Sequence, residues 1–249
     1  MKAEPLVDGQ LWTLHSPGNR FLGFIEIFNN ALIIQVTKGL VVINPPSSKS
    51  KCIEAVRTLC HSLKQPLCAI FSPGDWHHFH LVTWAKAFPE ANLYVASPRV
   101  LKKQPTLKER AIVLERTAPY IPELETTCTL IPWLGSKQPP RIMGGDRSGT
   151  NRVEHLVFHN ATHTLFVTDH VLGPGVMGTS VSPNKGGFSS KKGDEETLKD
   201  SAQRVLNAGS RRIVFSHGHK DAFIMGDGTQ EAGIEIKERL AHAYQYFGL

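Results

Sequence analysis

Three short apolar runs in this chain end on residues able to ligate a metal. In the first, Cys68 to Phe71 leads through Ser72, Pro73 and Gly74 into Asp75, Trp76, His77 and His78. The second, Leu165 to Thr168, stops at Asp169, and the third, Ile213 to Ser216, runs into His217, Gly218 and His219. Neutral imidazole and carboxylate are ligands for zinc, iron or manganese, and side chains at a strand end project from a fixed edge. Adjacent histidines in a turn are ordinarily just polar surface. Here, six of the twelve histidines, His77, His78, His80, His170, His217 and His219, lie in or beside three such strand ends, which favours a shared divalent metal over three unrelated turns.

A fourth candidate lies upstream of Asp169. Period-2 alternation puts His155, Val157 and His159 on one strand face, and a return strand ending at Asp169 is expected to aim His159 and Asp169 into one cavity. His163, in the turn between them, reads as solvent-exposed. His170 is either a partner of the acid or without a role. Gly218 is expected to let the backbone turn sharply and direct His217 at the site.

Those ends must be held by a sheet. Residues 11–15, 21–28, 31–37 and 40–44 read as a meander with turns at Asn29-Asn30 and Lys38-Gly39. A helix over 47–63 follows, with Ile53, Val56, Leu59 or Cys60 and Leu63 at helical spacing. A strand at 67–71, a helix at 78–88 and a strand at 92–96 make an α/β unit. The prolines between 98 and 140 predict short helices and irregular connections. Residues 135–149 read as a surface loop, 153–159 and 164–169 as a hairpin, and 173–193 as a Gly-, Ser- and Lys-rich loop suited to a lid. Helix 195–208, strand 212–215 and helix 230–247 complete two loosely similar halves, each β-rich first and α/β after. Together they predict an α/β fold, two mixed sheets packed face to face with helices outside, formed by residues 1–249 as a single domain.

This order of elements and ligands resembles the metallo-β-lactamase fold superfamily, an αββα four-layer sandwich that binds one or two metals along one edge of its sheets. The resemblance spans nearly the whole chain. In that family, the first strand end carries a His-x-His-x-Asp-His motif; its four positions fall here on Pro73, Asp75, His77 and His78. A later histidine is matched by His159, the bridging acid by Asp169 and the last histidine by His217. Pro73 has no donor and Asp75 replaces an imidazole, so the resemblance is to a divergent branch with an altered motif. It implies a weakened first metal position, left with Asp75, His159 and Asp169. The second keeps His78, Asp169 and His217, with His77 as a fourth ligand.

The chemistry so implied is metal-dependent hydrolysis of a small-molecule substrate, with Asp75 or Asp169 orienting or deprotonating water and zinc as the expected ion. The alternative is a catalytically silent member acting as a small-molecule-binding or interaction module. Lys185, Lys191 and Lys192, in the 173–193 loop, would suit an anionic substrate. The net charge of +6 raises a nucleic-acid partner, but the basic clusters lack interleaved aromatics and acids dilute them, so none is expected. No apolar run approaches a membrane span. The four cysteines show no C-x-x-C spacing, and with no signal peptide recognised they read as reduced thiols of a cytoplasmic protein, Cys52 and Cys60 on the apolar face of a helix. The Gly173-x-Gly175-x-x-Gly178 pattern is set aside because a poor helix start follows it. No G-x-S-x-G elbow occurs. Oligomeric state and substrate identity are left open.

Overall fold

The computed structural model describes residues 1–21, 25–46, 50–136, 152–176, 179–184 and 194–248. The chain divides into two compact units, Met1–Thr127 and Cys128–Leu249. The division falls between the two loosely similar halves of the sequence.

The first unit holds one seven-stranded sheet in sequence order. Strands β1 (Glu4–Val7), β2 (Leu11–Phe21), β3 (Ile25–Val36) and β4 (Gly39–Ile43) pair antiparallel. Helix α1 (Ser50–Leu63) then crosses to β5 (Leu67–Ser72), which pairs parallel with β4. Helix α2 (Leu81–Ala87) leads to β6 (Asn92–Val95), and α3 (Pro98–Lys103) to β7 (Ala111–Val113), both parallel additions. Every residue of β4 is buried, as an unbroken apolar run in a central strand should be. From α1, Cys52, Ile53 and Val56 enter the core with Leu59, Cys60 and Leu63 packed against it, beside Trp84 of α2 and Ile70 of β5. The helical spacing of those apolar residues therefore marked the buried stripe correctly.

Two readings of this unit change. Asn29 and Asn30 are not a turn: they lie inside β3, paired with Ser16 and His15 across the ladder. The buried Asn30 is tolerated there because its Oδ1 meets His15 Nδ1 at 2.6 Å and its carbonyl accepts the Asn44 side-chain amide at 2.7 Å. The second helix begins at Leu81 rather than His78, because residues 75–80 are spent on turns. Its anchor is Trp84, fully buried, with Nε1 donating to the Pro46 carbonyl at 2.9 Å.

The second unit centres on a five-stranded sheet. Strands β8 (Cys128–Trp133), β9 (Glu154–His159) and β10 (Thr164–Val167) are antiparallel neighbours. A two-stranded ribbon, β11 (Val171–Leu172) with β12 (Ser182–Pro183), stands apart from them. After helix α4 (Glu195–Asn207), β13 (Arg212–Phe215) joins β10 in parallel and β14 (Ile224–Met225) adds antiparallel, before helix α5 (Gln230–Tyr244). The sequence pattern missed β8 because Pro132 interrupts it. As an edge strand it accommodates a proline that a central strand would reject. Leu198, Ala202 and Val205 of α4 and Ile236, Leu240 and Tyr244 of α5 share a core with Trp133, Leu165, Ile213 and Phe215. Asp194 caps α4 through the Thr197 N–H and Thr229 caps α5 through the Ala232 N–H, each worth about 1 kcal/mol. The 137–149 part of the expected surface loop and the 185–193 part of the expected lid, with its three lysines, lie outside the described residues.

Candidate metal centre

In the second unit, the register of two parallel strands creates a ligand pair. Thr164 pairs with Arg212 and Val167 with Phe215, and continuing that offset two residues past the strand ends matches Asp169 to His217. Their side chains meet: Nε2 of His217 lies 2.9 Å from Oδ1 of Asp169. Asp169 is buried and His217 largely so. Two ligands of a tetrahedral zinc, each about 2.0–2.1 Å from the ion, sit a little over ~3 Å apart, so this pair needs only a small opening to grip one. Both residues offer a ligand atom of the right chemistry.

Behind the pair stands a residue that the sequence reading overlooked. Glu154, at the start of β9 and almost fully buried, accepts the Thr168 hydroxyl at 2.6 Å, the Asp169 N–H at 3.1 Å and the His170 N–H at 3.2 Å. His170, wholly buried, has Nδ1 3.2 Å from the same carboxylate and Nε2 3.2 Å from the Tyr244 hydroxyl. Burial, reinforced by the Glu154 charge, pushes the Tyr244 phenol well up. Tyr244 therefore keeps its proton, and its hydroxyl can donate to Nε2 of His170 while Nδ1–H faces Glu154. Trp133 stacks on the His170 ring at 4.1 Å. An acid two residues before the apolar run Leu156 to Phe158 was the available signal.

His159 is not brought to Asp169. It pairs with Thr164 at the turn end of the hairpin, about five residues and roughly 17 Å of strand from the acid. There its Nδ1 engages the Thr162 hydroxyl at 2.8 Å. Alternation placed it on a face correctly but could not tell which end of the hairpin was the open one. His163, with φ 51°, shapes the turn and reaches the Gly209 carbonyl at 3.2 Å. His219 is half-exposed beside Asp221.

The glycines around His217 act by close approach rather than by turning. A Cβ on Gly218 would sit 2.8 Å from Phe223 Cα, and one on Gly173 2.9 Å from the Phe215 ring. Gly173 also donates its N–H to the His217 carbonyl at 2.8 Å. Gly173, the first of the three glycines in the dinucleotide-like pattern, is thus explained by packing against the segment that carries His217.

In the first unit, β5 delivers Asp75, His77 and His78 into successive turns, all three buried. The Ser72 hydroxyl donates to the His77 carbonyl at 2.9 Å, and the His77 N–H donates to the Gly74 carbonyl at 3.2 Å. Asp75 accepts a short hydrogen bond from the Ser97 hydroxyl. Ser97 is also the N-cap of α3, accepting the Arg99 N–H at 3.3 Å. Asp75 is thereby tied to the next helix. His78 Nδ1 lies 3.3 Å from the Gln104 amide. Burial first, then Lys103, His77, Arg99 and His80, lowers the His78 imidazole to about 4, so it is neutral at pH 7, the form that binds metals.

Comparison with solved structures finds the same fold at low identity. TMB-1 superposes with a TM-score of 0.62 at 15% identity, over 95% of each chain. DIM-1 metallo-β-lactamase exposed to ceftazidime gives 0.60 at 14%, over 97% of each chain. FIM-1 metallo-β-lactamase from Pseudomonas aeruginosa, in its mono-zinc form, gives 0.59 at 12%, over 93% of this chain and 92% of that one. No protein-family model matches the chain, and no curated protein matches it by sequence. The chain therefore has the metallo-β-lactamase fold, in a sequence-divergent form. Among the described residues, no helix is long and apolar enough to cross a membrane.

Proposed function

We propose that the protein is a metal-dependent hydrolase of a small-molecule substrate, holding one divalent ion, expected to be zinc. The observation that carries this reading is the His217–Asp169 pair at the ends of β10 and β13, in a fold whose solved examples include a mono-zinc enzyme form. Asp169 and His217 are the two ligands we assign first. His77 and His78 are carried as candidate donors by the resemblance to the altered motif alone. When bound, such an ion acidifies a water and polarises a carbonyl or phosphoryl oxygen.

The chain's own residues divide the remaining work. Asp169 orients the attacking water and takes up its proton, a role that Asp75 is poorly free to share while Ser97 donates to it. His217 would exchange its hydrogen bond to Asp169 for a bound ion, with Nδ1 carrying the ring proton. His78, held neutral, would ligate without first losing a proton.

Elemental analysis of the purified protein tests the reading, followed by assays on lactam, thioester and phosphoester panels with and without chelator. About one equivalent of metal and chelator-sensitive turnover are expected. No retained metal after incubation with zinc, iron or manganese would overturn it. A silent binding module is the second reading, favoured by the donorless Pro73 and by the engagement of Asp75 with Ser97. Metal retention with no turnover on any panel would select it.

A further inference from the structure

The bonds of Glu154 are unusual in their target. All four go to the three consecutive residues Thr168, Asp169 and His170, at 2.6, 3.1, 3.2 and 3.2 Å. A buried carboxylate is costly, and a well-packed apolar side chain would serve stability at least as well. What an apolar residue could not do is accept the N–H of Asp169 and of the residue after it, and so fix the backbone from which the Asp169 carboxylate projects. The opposite side of the grip is equally rigid. His170 is clamped between Glu154 and the Tyr244 hydroxyl and covered by Trp133. Asp169, its N–H held from behind by Glu154, meets His217 in front through its carboxylate at 2.9 Å.

We propose that Glu154 is a positioning residue that presets Asp169 to ligate the metal, with Thr168 and His170 as the parts of the strand end it grips. This rests on the reading of Asp169 as a metal ligand. Glu154 touches neither substrate nor ion. It acts by removing the freedom of the strand end, so that the ion meets a preformed donor.

The test compares zinc affinity, by competition with a chromophoric chelator, with fold integrity by circular dichroism. Glu154→Gln keeps the volume but replaces one acceptor oxygen with a donor. It should weaken zinc binding by about 10- to 100-fold, the usual effect of losing such a support, with the folded spectrum kept. Should Glu154→Gln fail to fold, the pair Thr168→Val and Thr168→Ser decides. The valine loses the 2.6 Å bond and should weaken zinc several-fold, and the serine should restore it. Folded Glu154→Gln and Thr168→Val proteins with wild-type zinc affinity would overturn the proposal.

A second readout separates this inference from the metal reading. In metal-free protein, the imidazole nitrogen resonances of His217 report its bond to Asp169. They should shift in Thr168→Val and Glu154→Gln and return in Thr168→Ser. If wild-type protein binds no zinc, the metal reading fails, and these resonances still decide whether Glu154 presets Asp169. Unchanged resonances in both folded variants would sink it.

Discussion

His217 Nε2 faces Asp169 Oδ1 at 2.9 Å because β10 and β13 are parallel and in a register that carries each residue two positions past its strand. The Ser216 N–H donates to the Val167 carbonyl at 2.9 Å, extending the ladder toward the pair. The same parallel pairing buries Leu165, Val167, Ile213 and Phe215 behind them, so the pair is braced by core packing.

Removing either member should therefore cost the metal and not the fold. His217→Ala and Asp169→Ala are each expected to fall from about one equivalent of metal to almost none, while thermal unfolding stays cooperative. Wild-type metal content in His217→Ala would refute the assignment.

His159 offers the contrasting case. Its hydrogen bond to Thr162 lies at the far end of the hairpin, so His159→Gln should leave metal content and His217 untouched. The expected loss is in stability alone, about 1 kcal/mol for one hydrogen bond, read from urea unfolding. Loss of metal in this variant would show that His159 reaches the ion after all.

The sequence made the strand ends legible because each joins an apolar run to ligand-type residues, a local pattern that needs no tertiary knowledge. Asp75, His77, His78, Asp169 and His217 were read as candidates that way, and of these Asp169 and His217 meet at 2.9 Å. What stayed hidden depends on pairing. The end of the hairpin occupied by His159, the inclusion of Asn29 and Asn30 in β3 and the edge position of β8 are set by which strands meet and in what register. Glu154 escaped for a related reason. A lone acid before an apolar run looks like a solvated strand start until the backbone it serves, fourteen to sixteen residues on, is known.

Asp75 and Ser97 should behave as a coupled pair in stability. Ser97→Ala removes both the donor to Asp75 and the cap of α3, and Asp75→Ala removes the acceptor. Each is expected to cost roughly 1–3 kcal/mol, and the double variant to cost less than the sum. Metal content should be retained in all three proteins. Strict additivity in urea unfolding would show that the bond contributes nothing.

The buried Cys128 and half-buried Cys68 thiols set an alkaline limit. Burial pushes Cys128 from 9.0 to about 12. Cys68 rises to about 11, first by burial and then through the Glu123 carboxylate, against the lowering effects of its backbone hydrogen bond and Lys38. A thiol whose folded pKa is raised stays protonated in the native state while the unfolded chain ionises near 9. Its contribution is complete below about pH 9 and is lost as pH climbs toward 11 and 12. The urea midpoint should therefore hold steady from pH 7 to 8.5 and fall progressively above 9. Cys128→Ala, less stable at pH 7 for its lost packing, should show a shallower fall between pH 9 and 12. The residual slope would come from Cys68 and from Tyr94 and Tyr244, which burial also raises. The same burial should keep Cys128 unreactive toward iodoacetamide at pH 8 in the folded protein, with labelling appearing only in urea. Rapid native-state labelling of Cys128, or an alkaline slope unchanged by Cys128→Ala, would contradict this.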